Sequence, residues 1–226
     1  MSDRVTLKGL LADLHAERVA TWPPADLQVN IDQRAELVAA FDAGAIAQPG
    51  DVLEPYALES ARGGRIELDE LVADGPAVLV FFRFAGCPAC NVALPYYRDH
   101  LAPGLEGIGV PLVAVSPQVP QGLAEIVERH ELPFIVASDA GNTLGRRLGI
   151  TFTSNEASQR YALAKGGNLP AIIGTGTWEL PQPTVLVLDR GRVVRWIDVT
   201  PDWMARTEAA PVLEAAREAT GAPAAV

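Results

Sequence analysis

Cysteine and lysine are both rare in this sequence of 226 residues. Cys87 and Cys90 are its only cysteines, and Lys8 and Lys165 are its only lysines. A lysine Schiff base is therefore not an expected chemistry. Basic residues number 18 against 28 acidic ones, which gives a formal net charge of −10 at pH 7. This acidic balance disfavours binding to nucleic acid or to an anionic membrane surface, because both require a basic face.

Long apolar runs are also absent, since none approaches the roughly 20 residues that cross a bilayer. The first twenty residues, MSDRVTLKGLLADLHAERVA, carry charges throughout and predict no signal peptide. A cytoplasmic location is then the default, and reducing conditions there keep thiols free. No glycine-rich phosphate loop occurs, so no nucleotide, flavin or other cofactor is expected. A hydrophobic content of 49% nevertheless predicts a folded chain.

Residues 1–48 are predicted to form a helical arm. Apolar residues recur at helical spacing at Leu7, Leu10, Leu11 and Leu14, and Trp22-Pro23-Pro24 ends this pattern. A second helix is predicted after Asn30, with Gln33 completing a capping pair and an inward face of Ile31, Ala35, Val38, Phe41 and Ala45. Two alternatives stay open: the arm covers the core of its own domain, or it packs on a second subunit in a homodimer.

Strands and helices alternate over residues 49–220, which predicts one domain. Strands are expected at 77–82, 112–115, 134–137, 184–188 and 193–199, and helices at 87–101, 120–130, 142–148 and 211–219. The fold class is therefore α/β, with a mixed sheet flanked by helices and closed by a hairpin. Residues 155–180 fit no regular element and are predicted to form a long functional loop. Residues 221–226 are predicted to be a loose tail.

The two cysteines form a single C-P-A-C motif directly after the apolar run Ala77–Phe82. Pro88 suits the first turn of a helix, where a missing N–H costs nothing. Cys87 is thus expected at a helix N-terminus, where unpaired N–H groups and the helix dipole stabilise a thiolate. Cys90 lies one turn deeper, close enough to attack a bond formed at Cys87. The motif predicts that Cys87 is the nucleophile and Cys90 the resolving thiol.

Other interpretations of the motif are weaker. A zinc site needs about four ligands, and His15, His100 and His130 do not stand at finger-like spacing from the cysteines. No metal is therefore expected. Two inert buried cysteines remain an alternative. The combination of strand, short loop, CxxC and helix favours redox activity over that alternative.

Two prolines extend the pattern. Pro95 falls inside the helix that starts at Cys87, and Pro183 immediately precedes the strand at 184–188. The order strand, CxxC, helix with an internal proline, then proline and threonine before a strand resembles the thioredoxin fold. That resemblance implies a cis peptide bond before Pro183 and a loop that faces Cys87. The alternative is an ordinary trans proline at a strand start.

Most of the chain resembles the CxxC-containing peroxiredoxin-like proteins of the alkyl hydroperoxide reductase/thiol-specific antioxidant (AhpC/TSA) family. The matching stretches are GDVLEPYAL (50–58), VLVFFRFAGCPACN (78–91), VPLVAVSPQ (110–118), FIVASDAGNTLGRRLGITF (134–152), WELPQPTVLVLDRGR (178–192) and DVTPDW (198–203). The resemblance implies a thiol-dependent peroxidase with a thioredoxin-type protein or a small thiol as reductant.

The sequence departs from both of the patterns that it resembles. Peroxiredoxins typically have Thr or Ser three residues before the cysteine and an Arg from a later strand, whereas this chain has Phe84 and, about where the Arg is expected, Pro183. Gly86 replaces an aromatic residue found in relatives. Thioredoxins have a buried Asp where this chain has Phe81. The usual polar partners of the reactive thiol are therefore missing.

Arg83 is the best local substitute for those partners. It should lie near the carboxyl end of its strand, where α/β sites form, and is predicted to hold the Cys87 thiolate and a peroxide oxygen. A salt bridge with a carboxylate is the alternative. Ser116 is predicted to hydrogen-bond in the site or to serve a turn before Pro117. The predicted pocket residues are Phe84, Pro88, Ser116, Trp178, Gln182 and Pro183.

The expected reaction is two-electron thiol chemistry. Cys87 attacks a hydroperoxide, Cys90 closes a disulfide on it, and an external thiol restores the pair. One alternative is a thiol-disulfide oxidoreductase acting on protein disulfides, which the missing Thr and Arg favour. A second is a redox-sensing or scaffold protein without turnover.

Overall fold

The computed structural model describes residues 5–221. Strands are β1 (Ala57–Ser60), β2 (Arg65–Glu67), β3 (Ala77–Phe81), β4 (Leu112–Ser116), β5 (Ile135–Ser138), β6 (Thr151–Thr153), β7 (Glu179–Pro181), β8 (Thr184–Asp189) and β9 (Val193–Val199). Helices are α1 (Leu7–Thr21), α2 (Pro24–Ala40), α3 (Leu68–Leu71), α4 (Pro88–His100), α5 (Ala102–Glu106), α6 (Pro120–Arg129), α7 (Thr143–Arg147), α8 (Glu156–Ala164), α9 (Leu169–Ile173) and α10 (Ala209–Thr220). The predicted α/β class with helices at the N-terminus is confirmed.

A seven-stranded mixed sheet organises the domain, in the order β2-β1-β5-β4-β3-β8-β9. At its centre β3 runs parallel to β4 and antiparallel to β8, so that Phe81 lies between Val115 and Thr184. The predicted closing hairpin is β8–β9. A central strand has both backbone edges paired, so the loop that follows Phe81 leaves the sheet from a rigid position.

The central strand is buried on both faces, as its continuous apolar sequence predicts. Val78 and Val80 point into one core cluster, together with apolar residues of α4, α6 and α10. Leu79 and Phe81 point into a second cluster on the opposite face. Helices therefore cover both faces, and α4, which carries the cysteines, belongs to the first.

The N-terminal arm packs on its own domain, since α1 contacts α4 and α2 contacts α8. Leu7 and Leu11 of α1 are fully or almost fully buried in the core cluster of α4. Burying a leucine side chain contributes roughly 2 kcal/mol, so these two residues alone stabilise the docked arm substantially. Arg34 of α2 adds a two-bond ion pair with Asp202, at 2.6 and 2.7 Å.

Several predicted boundaries were wrong. The second helix begins at Pro24, which suits a first helical turn, so Asn30 and Gln33 lie inside the helix and form no cap. Its predicted inward face was also wrong, because Ala35 and Val38 are exposed.

The predicted long loop at 155–180 also contains regular structure. It holds α8, α9 and the start of β7, which pairs with β6. Phe152, Leu169, Ile173 and Leu180 form a small core of its own there. Strands β1 and β2 were not predicted. The predicted loose tail at 221–226 lies outside the described residues after Gly221. In residues 5–221, no helix has the length and hydrophobicity needed to span a bilayer.

Candidate active site

The CxxC motif lies where the central strand gives way to α4. Cys87 is the N-cap residue of α4, Pro88 occupies its first turn, and Pro95 lies inside the helix. The Cys87 carbonyl accepts the N–H groups of Cys90 and Asn91, both at 3.0 Å. The sulfur is thus held at the positive end of the helix dipole, as the sequence predicted.

The environment separates the acidities of the two thiols. A hydrogen bond from Cys90, aided by the charges of Arg83 and Arg206, lowers the pKa of Cys87 well below its ordinary value despite burial. Burial raises the pKa of Cys90 well above its ordinary value, and its hydrogen bond to Cys87 adds to this. Because the thiolate is the nucleophilic form, these opposite pKa shifts favour Cys87 over Cys90 as the attacking sulfur.

Buried and half-buried polar side chains fix the loop before Cys87. Ser116 donates from Oγ to the Arg83 carbonyl over 3.1 Å. Gln118 accepts the Ala85 N–H at Oε1 over 2.7 Å, and Asn91 donates from Nδ2 to the carbonyls of Ala85 and Cys87. Each bond satisfies a loop backbone group that would otherwise be costly to bury. The position of Cys87 is consequently well defined.

Cys87 faces a cavity of about 180 Å³ between the arm, the domain and the 154–178 segment. Its aromatic lining residues are Trp22, Phe84, Tyr161, Trp178 and Trp203, and its polar ones include Arg18, Asn30, Gln33, Arg83, Ser154 and Ser158. Cys87 itself is only 1% exposed. A small molecule that reaches the sulfur must therefore enter this cavity.

Three arginines surround the cysteines. Arg18 from α1 is 3% exposed, and Arg83 lies over the Trp203 ring at 4.6 Å from its centroid. Arg206 donates from Nη2 to Cys90 Sγ over 3.6 Å. In the described part of the chain none of the three has a carboxylate partner within ion-pair distance. The site is strongly electropositive although the whole chain is acidic.

The structure brings together some of the predicted pocket residues. Arg83, Phe84, Pro88 and Trp178 line the cavity with Cys87. The alternative of a salt bridge for Arg83 is not seen, because no carboxylate among residues 5–221 pairs with it. Ser116 and Gln182 are buried outside the cavity lining. Ser116 supports the Arg83 backbone, and Gln182 binds the Ile150 carbonyl through its N–H over 2.7 Å.

The predicted cis bond before Pro183 was wrong, because this bond is trans. An X–Pro bond prefers trans by about 0.5–1 kcal/mol. Here the Pro183 carbonyl already accepts the N–H and Oγ1 of Thr200, at 2.8 and 3.1 Å. Pro183 does not line the cavity and instead borders, with Cys90 and Arg206, a separate gap of about 10 Å³. It is therefore not a wall of the pocket at Cys87.

Sequence reasoning missed Arg18, Arg206 and Trp203. Arg18 is a charged residue in the predicted arm helix that also contains Leu7 and Leu11, and this could have drawn attention to it. Nothing in the sequence, however, placed that helix beside the cysteines. Trp203 falls in the DVTPDW stretch that carried the resemblance, without a role assigned to it. Across residues 5–221, no group of three or more His, Cys, Asp or Glu side chains is arranged to hold a metal ion.

Comparison with known proteins agrees with this architecture. Residues 49–197 match the AhpC/TSA family, about two thirds of the chain. The chain belongs to the AhpC/TSA family. The N-terminal arm, with Arg18 and Trp22, lies outside the part of this AhpC/TSA protein that matches.

Named relatives are peroxiredoxins. A putative peroxiredoxin of Mycobacterium tuberculosis (strain CDC 1551 / Oshkosh) is 28% identical over 101 residues, which cover 45% of this chain and 65% of the relative. The chloroplastic peroxiredoxin Q of Gentiana triflora is 25% identical over 126 residues, 54% of this chain and 57% of the relative. The match thus spans about three fifths of the length of these relatives.

Solved structures show the same fold. The peroxidoxin BcpB of Mycobacterium tuberculosis superposes with a TM-score of 0.58 at 23% identity, over 76% of this chain and 97% of that one. A peroxiredoxin-like protein of Aquifex aeolicus gives 0.60 at 16% identity, over 76% and 88%. At such low identity these likenesses support the thioredoxin-like fold of the AhpC/TSA protein and leave its substrate open.

Proposed function

We propose that this protein is a thiol-dependent hydroperoxide reductase that cycles between a Cys87/Cys90 dithiol and a disulfide. The observation that carries the proposal is Cys87 itself, a thiol of lowered pKa at a helix N-terminus, hydrogen-bonded to Cys90 and open to a small-molecule cavity. Membership of a family whose named relatives are peroxiredoxins supports it.

The first step oxidises Cys87. An electron pair of the thiolate attacks the terminal peroxide oxygen, so that an S–O bond forms as the O–O bond breaks. The leaving alkoxide, or hydroxide from hydrogen peroxide, takes a proton from solvent and departs as an alcohol or water. Arg83 supplies positive charge beside the developing oxyanion, which stabilises such a step. It takes the place of the Thr and the later Arg that this sequence lacks.

The second step closes the disulfide. Cys90 attacks the sulfenic sulfur of Cys87, an S–S bond forms, and the sulfenic oxygen leaves as water with the Cys90 proton. Cys90 lies three residues after Cys87, in the first turn of the same helix, so the two sulfurs meet without movement of a separate loop. An external dithiol then returns the pair to the reduced form, and its own two thiols become a disulfide.

Burial of Cys87 favours a small substrate over a protein disulfide. A protein disulfide must bring its own sulfur into line with the attacking thiolate, and Cys87 is 1% exposed beneath the arm. A hydroperoxide of a few atoms meets no such obstacle in the cavity. The burial of Cys87 therefore favours peroxide reduction over the alternative of protein disulfide exchange.

The reductant and location follow from the same chemistry. We propose a thioredoxin-type protein or a small thiol as reductant. A small thiol can enter the cavity at Cys87, whereas a thioredoxin-type protein reaches the buried pair only when the arm moves away from it. A cytoplasmic location would keep the resting pair reduced. The homodimer remains a prediction, and sedimentation of the full chain would check it.

Rapid mixing of reduced protein with one equivalent of hydroperoxide tests the proposal. Products are quenched over time, alkylated and weighed for the wild type, Cys87→Ser and Cys90→Ser. We expect a Cys87–Cys90 disulfide in the wild type at least a hundredfold faster than free cysteine is oxidised, a trappable sulfenic acid in Cys90→Ser, and no fast reaction in Cys87→Ser.

Oxidation no faster than that of free cysteine would overturn the proposal. The same samples then distinguish the alternatives. Rapid exchange with a peptide disulfide would indicate a disulfide oxidoreductase, and slow turnover with every donor would indicate a redox-sensing protein.

A further inference from the structure

The cavity at Cys87 has features that a pocket for hydrogen peroxide does not need. Its volume of about 180 Å³ equals the liquid share of roughly six water molecules. Hydrogen peroxide would leave most of this space unused. Five of the sixteen lining residues are aromatic, among them Trp22 from the arm, Tyr161 from α8 and Trp178. These dimensions fit an organic molecule with a short carbon skeleton.

The cavity also contains positive charge that the protein does not neutralise. Arg18 is 3% exposed, and it donates a hydrogen bond to Met204 Sδ and stacks on Trp22 and Trp203. Arg83 Nε is buried and has no hydrogen-bond partner in the described chain. The Cys87 thiolate balances one of these two cations. Burying an unpaired charge is costly unless a counter-charge completes the site.

The carboxylates near this cluster are already engaged. Asp202 accepts both hydrogen bonds of Arg34, and Glu208 accepts from Tyr96 and from the N–H groups of Leu7 and Lys8. Neither of these two carboxylates is therefore available to pair with Arg18. Arg18 and Cys87 line the same cavity, so an anion paired with Arg18 lies in the same enclosure as the reactive sulfur.

We propose that the preferred substrate is a short organic hydroperoxide that carries a carboxylate, with the carboxylate paired to Arg18 and the peroxide group directed at Cys87. This inference rests on the proposed function and specifies its substrate class. Arg18 then acts as a specificity residue supplied by the arm, which lies outside the matched family region. The step itself is unchanged: the thiolate takes the terminal oxygen, the O–O bond breaks, and the product is the corresponding hydroxy acid after protonation.

The test compares two hydroperoxides that differ in charge and by one methyl group. We would measure second-order rate constants for 3-hydroperoxy-3-methylbutanoate and for its methyl ester, with tert-butyl hydroperoxide as a neutral reference. A charge-assisted pair in a buried site is worth on the order of tenfold or more. We expect the acid to react at least tenfold faster than the ester, and Arg18→Gln to reduce this ratio to below about threefold.

The ratio separates binding from thiolate stabilisation. If Arg18 only stabilised the Cys87 thiolate, Arg18→Gln would slow the reactions of the acid and the ester alike. The ratio of their rate constants would then stay unchanged, which would overturn the inference. Arg160→Gln removes an exposed arginine paired with Glu156 on α8 and should keep the wild-type ratio. A ratio lowered equally by Arg160→Gln would indicate general charge steering and would also overturn it.

A binding measurement covers the case in which Arg18→Gln does not fold. The product 3-hydroxy-3-methylbutanoate should bind to reduced wild-type protein and change its tryptophan fluorescence, because three tryptophans line the cavity, whereas the methyl ester should not. Equal binding of acid and ester, or of neither, would overturn the inference.

Failure of the inference and failure of the proposed function give different results. Fast reaction with tert-butyl hydroperoxide and equal rates for acid and ester would overturn the substrate class and leave the peroxidase in place. Slow reaction with all three hydroperoxides would overturn the peroxidase, and the substrate class with it.

Discussion

Arg206 donates a hydrogen bond from Nη2 to the Sγ of Cys90 over 3.6 Å, so a guanidinium contacts the deeper thiol of the pair. Its charge lowers the pKa of Cys90 and opposes the larger, raising effect of burial. Arg206 lies in the loop between β9 and α10, beside Pro183. This loop therefore places a positive charge beside Pro183, which stands about where peroxiredoxins typically have an Arg.

Removal of the Arg206 charge should slow disulfide closure. In Arg206→Gln the pKa of Cys90 rises further, and attack of Cys90 on the sulfenic acid should slow on the order of tenfold, the effect of one pKa unit. Oxidation of Cys87 should change less, because Cys90 and Arg83 contribute more to its pKa. Stopped-flow fluorescence resolves the two phases. Arg206→Lys keeps the charge and should restore part of the rate, and equal slowing of both phases would contradict this role.

The reactivity of Cys87 should be nearly constant around neutral pH. Since the thiolate reacts and the pKa of Cys87 is well below its ordinary value, its rate should rise with pH only up to that low pKa and then level off. In Cys90→Ala the hydrogen bond is lost and the midpoint should move to higher pH. Alkylation with iodoacetamide, followed by mass, gives both profiles. A midpoint near the ~8.5 of a free thiol in the wild type would refute this expectation.

Gly149 should be intolerant of any side chain. Its φ is +71°, and a Cβ there would lie 2.2 Å from the carbonyl oxygen of Ala45, where the arm connection crosses. Gly149→Ala combines the 1–2 kcal/mol cost of a left-handed residue with this clash and should destabilise by more than about 3 kcal/mol. Gly166→Ala is the matched control, since Gly166 has a φ of +79° and open space around it. Urea unfolding measures the free energy of unfolding of both variants. Equal losses of stability would show that the close approach of the Ala45 carbonyl to Gly149 is unimportant.

The Arg34–Asp202 pair should stabilise the arm in a pH-dependent way. Burial raises the pKa of Asp202, but hydrogen bonds from Arg34 and the Met204 N–H outweigh it, so the folded pKa is lowered. The stabilisation is therefore complete above the unfolded pKa of ~3.9 and is lost as pH falls from there through the folded value.

A double-mutant cycle with Arg34→Ala and Asp202→Ala measures this interaction at neutral pH. We expect a coupling energy of about 1 kcal/mol, because both side chains are partly shielded from solvent. The exposed pair Arg65–Glu67 is the control and should give a coupling close to zero. A coupling for Arg34–Asp202 no larger than this control would mean that this ion pair does not stabilise the docked arm.

Local sequence patterns were sufficient for the parts of the fold with strong regular signals. The apolar run at Ala77–Phe81 and the amphipathic pattern of α6 each bury the residues that their periodicity predicts. Weak patterns did not allow a prediction: α8 has no fully buried residue, β1 and β2 are only four and three residues long, and β2 lies at the edge of the sheet. Such elements form because they pack on a structure that is already present, so their own residues carry little periodic signal.

The sequence by itself determined where the two thiols lie. Cysteine and proline at adjacent positions after a buried strand place one thiol at a helix N-terminus and a second one turn away, because helix geometry is local and follows from a few residues. Only the tertiary structure decided the surroundings of that thiol. Arg18, Trp203 and Arg206 lie far from Cys87 in sequence, and their approach depends on how the arm and the last loop pack on the sheet. That packing is a sum of many weak contacts between distant residues, which no short stretch of sequence contains.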